Sequence, residues 1–207
     1  DGVVITDIGI NDDIARAIFD HCKKLICAAA GYVAFLSADG TRNEVLFLDA
    51  GGRPCSVDPP LPMPMRGLRE EAYRTGKTVY HNDFSSSAWA EYLPEGHVHI
   101  NNALFAPLKT DAKTIGLLGL ANKPGGFTED DVKMVGAFGE LVVIAYLKNK
   151  AMGSLANSEE RFRSVVQTAN VAIVNVDEQG KVSFWNKSAE TIFGYASDEA
   201  LGKPITL

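Results

Sequence analysis

The sequence lacks the features that mark disulfide-bonded, membrane-spanning and nucleic-acid-binding proteins. Its 207 residues include three cysteines, an odd number without CxxC spacing, which favours a reducing compartment over a disulfide framework. No apolar run approaches the roughly 20 residues of a membrane span, and no signal peptide is recognisable. The net charge of −6 and the absence of a basic stripe disfavour binding to a duplex. We therefore expect a cytoplasmic protein without nucleic-acid partners and without direct membrane contact in this segment.

Motifs of catalysis and of metal binding are scarce as well. The sequence contains neither the GxxxxGK[ST] loop that holds phosphates nor the GxSxG turn that presents a nucleophilic serine. His97 and His99 are spaced to share one face of a strand, but two ligands alone do not make a metal site. These absences predict a segment with no enzyme activity of its own and no metal centre.

Helical and strand-like patterns alternate over residues 1–150. The first helix, predicted over residues 12–30, has apolar residues at every fourth position, which predict a buried stripe: Ile14, Ile18, Cys22 and Ile26. Strand-like runs follow at residues 32–37, 44–49, 78–81, 103–108 and 114–121. A closing helix is predicted over about residues 128–152. This order predicts an α+β domain.

The pattern changes after residue 150. Residues 151–157 are predicted to be a linker, and a further helix is expected from residue 158 to 168. Strand-like runs at 171–176 and 181–185 then predict a hairpin. Because an isolated two-stranded hairpin is marginally stable in water, residues 158–207 are interpreted as the N-terminal part of an incomplete second domain.

Several ordered blocks resemble two known sensory families. Residues 104–108 (LFAPL), 115–123 (IGLLGLANK) and 127–131 (FTEDD) resemble the second half of a GAF domain. Residues 158–163 and 177–182, together with Trp185 and Asn186, resemble the opening half of a PAS domain. The GAF–PAS order is similar to the sensory region of sensor histidine kinases in two-component systems.

The resemblance carries expectations about fold and about the rest of the protein. A GAF domain implies a six-stranded antiparallel sheet with helices on one face and a ligand pocket on the other. The long helix then becomes a signalling helix that leads to the truncated PAS segment. The glycine boxes and phospho-acceptor segment of a histidine kinase are absent here, so a kinase or another effector domain is expected downstream.

A four-residue match to the family's NKFDE motif falls between the last GAF strand and the closing helix. Asn122, Lys123, Phe127 and Asp131 match it, whereas Val132 stands where the final acid is expected. The resemblance implies that Lys123 and Asp131 form a structural clasp, and a carboxylate is favoured at a helix start in any case. The match gives no reason to predict cyclic-nucleotide binding.

The segment between the two groups of strands supplies the candidate ligand-binding residues. Aromatic rings beside charged groups are the mixture expected in a small-molecule cleft. The candidates are Arg66, Tyr80, Asp83, Phe84, Trp89 and His97. The alternative is that Phe84 and Trp89 only pack this segment onto the sheet, and the sequence leaves both interpretations open.

Cys55 lies in a proline-rich loop and is the one thiol placed where chemistry is plausible. Some GAF sensors hold haem through a histidine and a cysteine thioether, so Cys55 with His97 is a haem candidate, and the cofactor is otherwise unknown. The alternative is an ordinary loop cysteine near surface histidines. A small GAF-type reductase acting through Cys55 is the enzymatic alternative.

The closing helix carries a second apolar pattern. Alternating four- and three-residue steps join the following positions: Met134, Phe138, Leu141, Ala145, Met152, Leu155, Phe162 and Val166. A seam of about four heptads, interrupted by Lys148, predicts a parallel homodimer through the helix at residues 128–166. The alternative is an intramolecular amphipathic helix that ends at Gly153.

These patterns together predict a sensory module of a signal-transduction protein. A small ligand in the GAF pocket is expected to act through the helix on the PAS segment. The alternative is a constitutive dimerisation module whose pocket is packed shut.

Overall fold

The computed structural model describes residues 3–4, 12–52, 63–111 and 113–206. It divides into two compact units, Asp1–Lys150 and Ala151–Leu207, which are described separately. No helix within these described ranges combines the length and apolar character needed to cross a membrane.

The first unit is built on one antiparallel sheet. Its strands are β1 (Val3–Val4), β2 (Ala30–Leu36), β3 (Arg42–Asp49), β4 (Met63–Pro64), β5 (Val79–His81), β6 (Ala103–Lys109) and β7 (Thr114–Ala121). Six of them follow the order β1-β3-β2-β7-β6-β5, and the two-residue β4 pairs with β3. The predicted α+β class and the six-stranded antiparallel sheet are confirmed.

Helices α1 (Asp12–Ile26) and α3 (Glu129–Thr168) cover one face of the sheet. Phe19 and Cys22 from α1 and Val135 and Val142 from α3 are fully buried there. The predicted stripe on α1 is partly wrong, because Ile14 is 47% exposed. A four-residue step overshoots one helical turn by about 40°, so four such positions cannot all face the core.

Helix α1 also ends four residues earlier than predicted. Cys27 adopts a left-handed conformation with φ 60°, and its amide donates to the carbonyl of Lys24 at 3.2 Å. The amide of Ala28 donates to Lys23 at 3.1 Å, which completes the cap and leaves Ala30 free to start β2.

The opposite face of the sheet is covered by helix α2 (Leu68–Thr75) and by residues 82–101, which we call the cover segment. The cover segment contains two 3-10 turns, Phe84–Ser86 and Ala88–Tyr92. The buried residues of this second cluster are Tyr32, Ala34, Val45, Leu68, Ala72, Phe84, Ala103, Phe105 and Leu117. The sheet is thus buried on both faces. We call the face covered by α2 and the cover segment the α2 face.

Helix α3 is one continuous helix of 40 residues. Residues 151–157, predicted to be a linker, are therefore helical, and the separate helix expected from residue 158 is the end of α3. Only Gly153 opposes helix formation in this stretch, at a cost of about 1 kcal/mol. The domain limits 1–150 and 158–207 remain predictions.

The second unit contains the end of α3, a hairpin of β8 (Val174–Val176) and β9 (Val182–Trp185), and helices α4 (Lys187–Phe193) and α5 (Ser197–Ala200). The buried Asn186 connects these parts: its side chain donates to the carbonyls of Val166 and Val171, each at 2.9 Å. It also accepts from the amide of Ala189 at 3.0 Å and so caps α4.

Candidate functional site

The α2 face is shaped by a tyrosine that lies across the sheet. Tyr32 on β2 is paired with Gly119 on β7, and a Cβ atom at position 119 would lie 2.7 Å from the Tyr32 ring. The missing side chain therefore makes room for the ring, whose centroid is 6.2 Å from that of Phe105. Tyr32 is only 8% exposed, so its hydroxyl lies inside the cluster under α2.

The proton of this hydroxyl has no acceptor within the part of the chain that the structure describes. A buried polar group without a partner costs about 1–3 kcal/mol, and such groups are rare in folded proteins. Burial raises the pKa of Tyr32, and the guanidinium of Arg69 on α2 acts in the opposite direction through its charge and through a side-chain hydrogen bond to the hydroxyl oxygen. Arg69 thus lies close enough to interact with the hydroxyl electrostatically.

A second tyrosine beside this pair is fully satisfied. The Tyr73 hydroxyl donates to the side-chain oxygen of Asn43, which is 3% exposed. The Asn43 amide in turn donates to the carbonyl of Met63 at 3.4 Å. Burial raises the pKa of Tyr73, so its hydroxyl keeps its proton over the ordinary pH range.

Aromatic contacts hold the cover segment in place. Trp89 packs edge-on against His81 at 5.2 Å between ring centroids, and it lies 6.4 Å from Phe84. The Nδ1 atom of His81 is buried and also has no partner among the described residues. Gly67, with φ 68°, lets the chain enter α2 beside Trp89, since a Cβ there would lie 3.2 Å from the indole.

Both ends of the cover segment are hydrogen-bonded to the loop that begins α3. At the first end, Asn82 donates to the carbonyl of Phe127 at 2.9 Å and accepts from its amide at 2.6 Å. At the second end, Asn122 accepts from the amide of Asn101 and donates to the carbonyl of His99, each at 2.8 Å. The chain that covers the α2 face is therefore tied directly to residues 122–127.

The same loop is fixed to the start of α3. Lys123 forms an ion pair with Asp131, and the Asp131 carboxylate accepts from the Thr128 amide at 2.8 Å and from the Thr128 hydroxyl at 3.0 Å. Although burial acts to raise it, these donors hold the pKa of Asp131 below its usual value. The structure thus brings Lys123 and Asp131 together, as the clasp interpretation requires.

The family model for the GAF domain matches residues 12–146. The chain belongs to the GAF domain family. The model for the PAS fold matches residues 160–207, so the GAF domain is followed by a PAS segment, as predicted.

Two curated relatives are signalling proteins. A methyl sulfide methyltransferase-associated sensor from Methanosarcina acetivorans is 26% identical over 165 residues, which cover 74% of this chain and 16% of the sensor. The cell-division control histidine kinase PdhS from Brucella anthropi is 33% identical over 60 residues, which cover 29% of this chain and 6% of the kinase. This GAF–PAS segment is therefore a sensory module related to sensor and histidine kinase proteins.

A solved structure shares the fold of the GAF domain. The GAF domain from an Acinetobacter phosphoenolpyruvate-protein phosphotransferase has a TM-score of 0.53 and 18% identity, covering 67% of this chain and 93% of that domain. At this identity the likeness concerns the fold alone.

Three of the six predicted ligand-binding residues of the GAF domain lie on or beside the α2 face. Phe84 is buried and contacts the half-buried Trp89. Arg66 is exposed; its guanidinium lies 4.9 Å from the centroid of the Tyr92 ring and donates to the Tyr92 carbonyl at 3.3 Å. The structure thus brings Phe84 and Trp89 together and leaves Arg66 at the surface.

The other three candidates make their contacts elsewhere. Tyr80 packs against the core beneath α1 and α3, and its hydroxyl donates to Glu129 at 3.2 Å. Asp83 is exposed and accepts from a serine hydroxyl of the cover segment at 2.8 Å. Nδ1 of His97 lies 2.8 Å from the carbonyl of Val98. As a set of ligand contacts, the six residues remain a prediction.

The haem pair has little support from the described residues. Cys55 lies outside them. His97 and His99 line a surface depression of about 230 Å³, below the ~300–1,000 Å³ of typical small-molecule pockets. Because one member of the pair lies outside the described residues, the haem site remains a prediction, and we base no step on it. No group of three metal-ligating side chains occurs in the described ranges.

The polar residues of the α2 face were missed because they look like core residues in the sequence. Tyr32 begins an apolar strand, and nothing in residues 32–37 distinguishes its hydroxyl from that of an ordinary packed tyrosine. Arg69 and Tyr73 are four residues apart, a spacing that places two side chains on one helix face. That spacing on α2, the helix that packs on this face of the sheet, is the signal that the sequence offers.

Proposed function

We propose that this GAF–PAS segment is the ligand-binding input of a two-component sensor histidine kinase. A small molecule binds on the α2 face of the GAF domain, the change passes to helix α3, and α3 acts on the PAS segment and on an effector domain downstream. The observation that carries the proposal is the pair of asparagines, Asn82 and Asn122, that join the cover segment to the loop before α3.

The connection supplies a short mechanical path. A ligand under α2 and the cover segment must displace or tighten that segment, since its aromatic side chains already pack on the sheet. Because both ends of the segment bond to residues 122–127, movement of either end changes the backbone that precedes α3. A ligand biases α3 only if it binds two arrangements of these contacts with different affinity.

Helix α3 has an exposed apolar stripe suited to pairing with a second copy. Met152, Leu155 and Phe162 are 61%, 71% and 70% exposed. Burying a leucine is worth about 1.5–3 kcal/mol, so a stripe of this kind favours a partner. We propose a parallel homodimer along α3, in which a shift of the helices is the signal. Val166 is buried within its own unit and does not belong to the free part of the stripe.

A small-molecule library and hydrogen exchange together test the proposal. The whole chain is screened for metabolites that raise the melting temperature, and amide exchange is then measured across Glu129–Thr168 with and without each hit. We expect at least one metabolite to stabilise the chain and to change exchange in α3. Stabilisation with unchanged exchange in α3 would contradict signalling through the helix.

A constitutive dimerisation module is the second candidate. It is favoured by the packing of the α2 face, where Phe84 is 6% exposed and contacts Trp89. This candidate predicts a stable dimer and no metabolite that changes the melting temperature. Tyr92 is 40% exposed and so closes the face less completely than Phe84 does.

A further inference from the structure

The α2 face brings together two hydrogen-bond donors that have no carboxylate partner among the described residues. The Tyr32 hydroxyl is more than nine-tenths buried, its proton has no acceptor within the described residues, and its oxygen interacts with Arg69. Arg69 is half-buried on α2, between Leu68 and Ala72, which both pack into the cluster that contains Tyr32. No carboxylate of the described ranges forms an ion pair with Arg69. A cation and a hydroxyl donor thus lie together without a negative partner.

The acidic residues of α2 do not fill this role. Glu70 and Glu71 follow Arg69 directly, and residues one or two positions apart on a helix do not face each other. Both line a different, open depression of about 310 Å³ beside Gly67 and Arg74. The charge of Arg69 is therefore not neutralised from its own helix.

Tyr73 and Asn43, two other polar side chains of this cluster, are already satisfied. Tyr73 donates its proton to Asn43, and Asn43 donates to the carbonyl of Met63. The groups that still lack an acceptor at this site are therefore hydrogen-bond donors. Such a site favours a ligand that brings oxygen acceptors and negative charge, because guanidinium groups bind carboxylates and phosphates in bidentate fashion.

We propose that a small molecule with an oxyanion, either a carboxylate or a phosphate, binds at the α2 face with its charged oxygens accepting hydrogen bonds from Arg69 and Tyr32. This oxyanion site rests on the proposed function, which places the ligand on the same face. It names the chemical class that the ligand belongs to and the two side chains that recognise it.

The test uses the whole chain and simple probes. Melting temperature is measured against increasing inorganic phosphate, acetate and succinate in Tris buffer, with sodium chloride at matched ionic strength as the baseline. We expect a saturable rise with phosphate or with the carboxylates and none with chloride. Phosphate alone identifies a phosphorylated ligand, and the carboxylates alone identify an organic acid. A chain that responds to none of the three probes overturns the site.

Two variants assign the response to the site. Tyr32→Phe keeps the ring against Phe105 and removes only the hydroxyl, so it is expected to fold as well as the parent. Arg69→Gln removes the charge, and Arg74→Gln, five residues further along α2 and exposed, is the matched control. We expect the oxyanion response to be lost in Arg69→Gln, reduced at least about tenfold in apparent affinity in Tyr32→Phe, and kept in Arg74→Gln. An unchanged response in Arg69→Gln overturns the assignment.

Failure of this site and failure of the proposed function give different results. A neutral metabolite that stabilises the chain and changes exchange in α3, with no response to any oxyanion, overturns the oxyanion site alone. An oxyanion that binds through Arg69 while exchange in α3 stays unchanged supports the site and overturns the signalling function.

Discussion

At the scale of single residues, the α2 face combines one satisfied and one unsatisfied buried tyrosine. Tyr73 has the buried Asn43 as its acceptor, whereas Tyr32 has none within the described residues. Removing the hydroxyl is therefore expected to destabilise the fold at Tyr73 but not at Tyr32. Comparing the stabilities of the two variants shows which hydroxyl contributes to folding and which does not.

The first prediction compares Tyr73→Phe with Tyr32→Phe by urea denaturation. Tyr73→Phe leaves the Asn43 oxygen buried without a donor, and we expect a loss of about 1–3 kcal/mol in the free energy of unfolding. Tyr32→Phe removes a buried donor that lacks an acceptor, so its stability is expected to equal or exceed that of the parent. Equal destabilisation in both variants would show that the Tyr32 hydroxyl is bonded in solution.

The second prediction concerns the clasp at the start of α3. Asp131→Asn weakens the pairing with Lys123 and the acceptor for Thr128, and we expect a loss of about 1–3 kcal/mol at neutral pH. Asp130→Asn is the matched control: Asp130 is 88% exposed and its pair with Lys133 is a surface pair, so we expect less than about 0.5 kcal/mol.

The clasp also has a defined pH dependence. Because the pKa of Asp131 is lowered on folding, its stabilisation is fully present above the usual aspartate pKa of about 3.9 and is lost as the pH falls through the lower value in the folded state. Asp131→Asn should therefore lose less stability than the parent between neutral pH and the acid range. If the unfolding free energies of the two proteins fall in parallel as the pH is lowered, Asp131 is not the source of the acid dependence.

At the scale of elements, the strands were easier to predict than the helix limits. The runs at residues 103–108 and 114–121 are apolar enough to be recognised as central strands, and β6 and β7 pair there. The end of α1 depends on a left-handed Cys27, a conformation that sequence patterns assign to glycine. Gly153 misleads in the opposite direction, because the sequence suggests that a helix ends there, whereas α3 continues through it.

The third prediction tests that continuity. A Cβ atom at Gly153 would meet nothing within 4 Å beyond the adjacent backbone of its own helix, so Gly153→Ala should stabilise the helix by about 1 kcal/mol. Gly153→Pro should instead interrupt the hydrogen bonds of this turn at a cost of about 3 kcal/mol. Amide exchange in residues 149–157 is expected to slow in the first variant and to accelerate in the second. Identical exchange in both would mean that this stretch is not helical in solution.

The candidate site was harder to predict than the fold for a physical reason. A ligand site on a sheet face is built from residues that also form the core, so Tyr32 has the pattern of a packed strand residue. Its distinguishing feature, a hydroxyl without an acceptor, exists only when β2, α2 and their neighbours are assembled. The charged residues that the sequence makes conspicuous, such as Arg66 and Asp83, lie at the surface instead.

At the scale of the whole molecule, the exposed stripe of α3 determines how two copies associate. Leu155 is 71% exposed, so Leu155→Asp is expected to leave the fold of a single chain intact. In a parallel dimer both copies lose a buried leucine, and the dissociation constant should rise at least about 100-fold. Sedimentation velocity over a range of concentrations measures this change directly.

Leu147 provides the control for that substitution. It is 45% exposed on the same helix, but it lies off the seven-residue repeat that joins Leu141, Leu155 and Phe162. Leu147→Asp should therefore weaken the dimer far less than Leu155→Asp. If both substitutions weaken the dimer equally, the two copies pair through a broader face of α3. A ligand bound on the α2 face would then have to change the packing of this broader helix face, and not that of a coiled-coil seam.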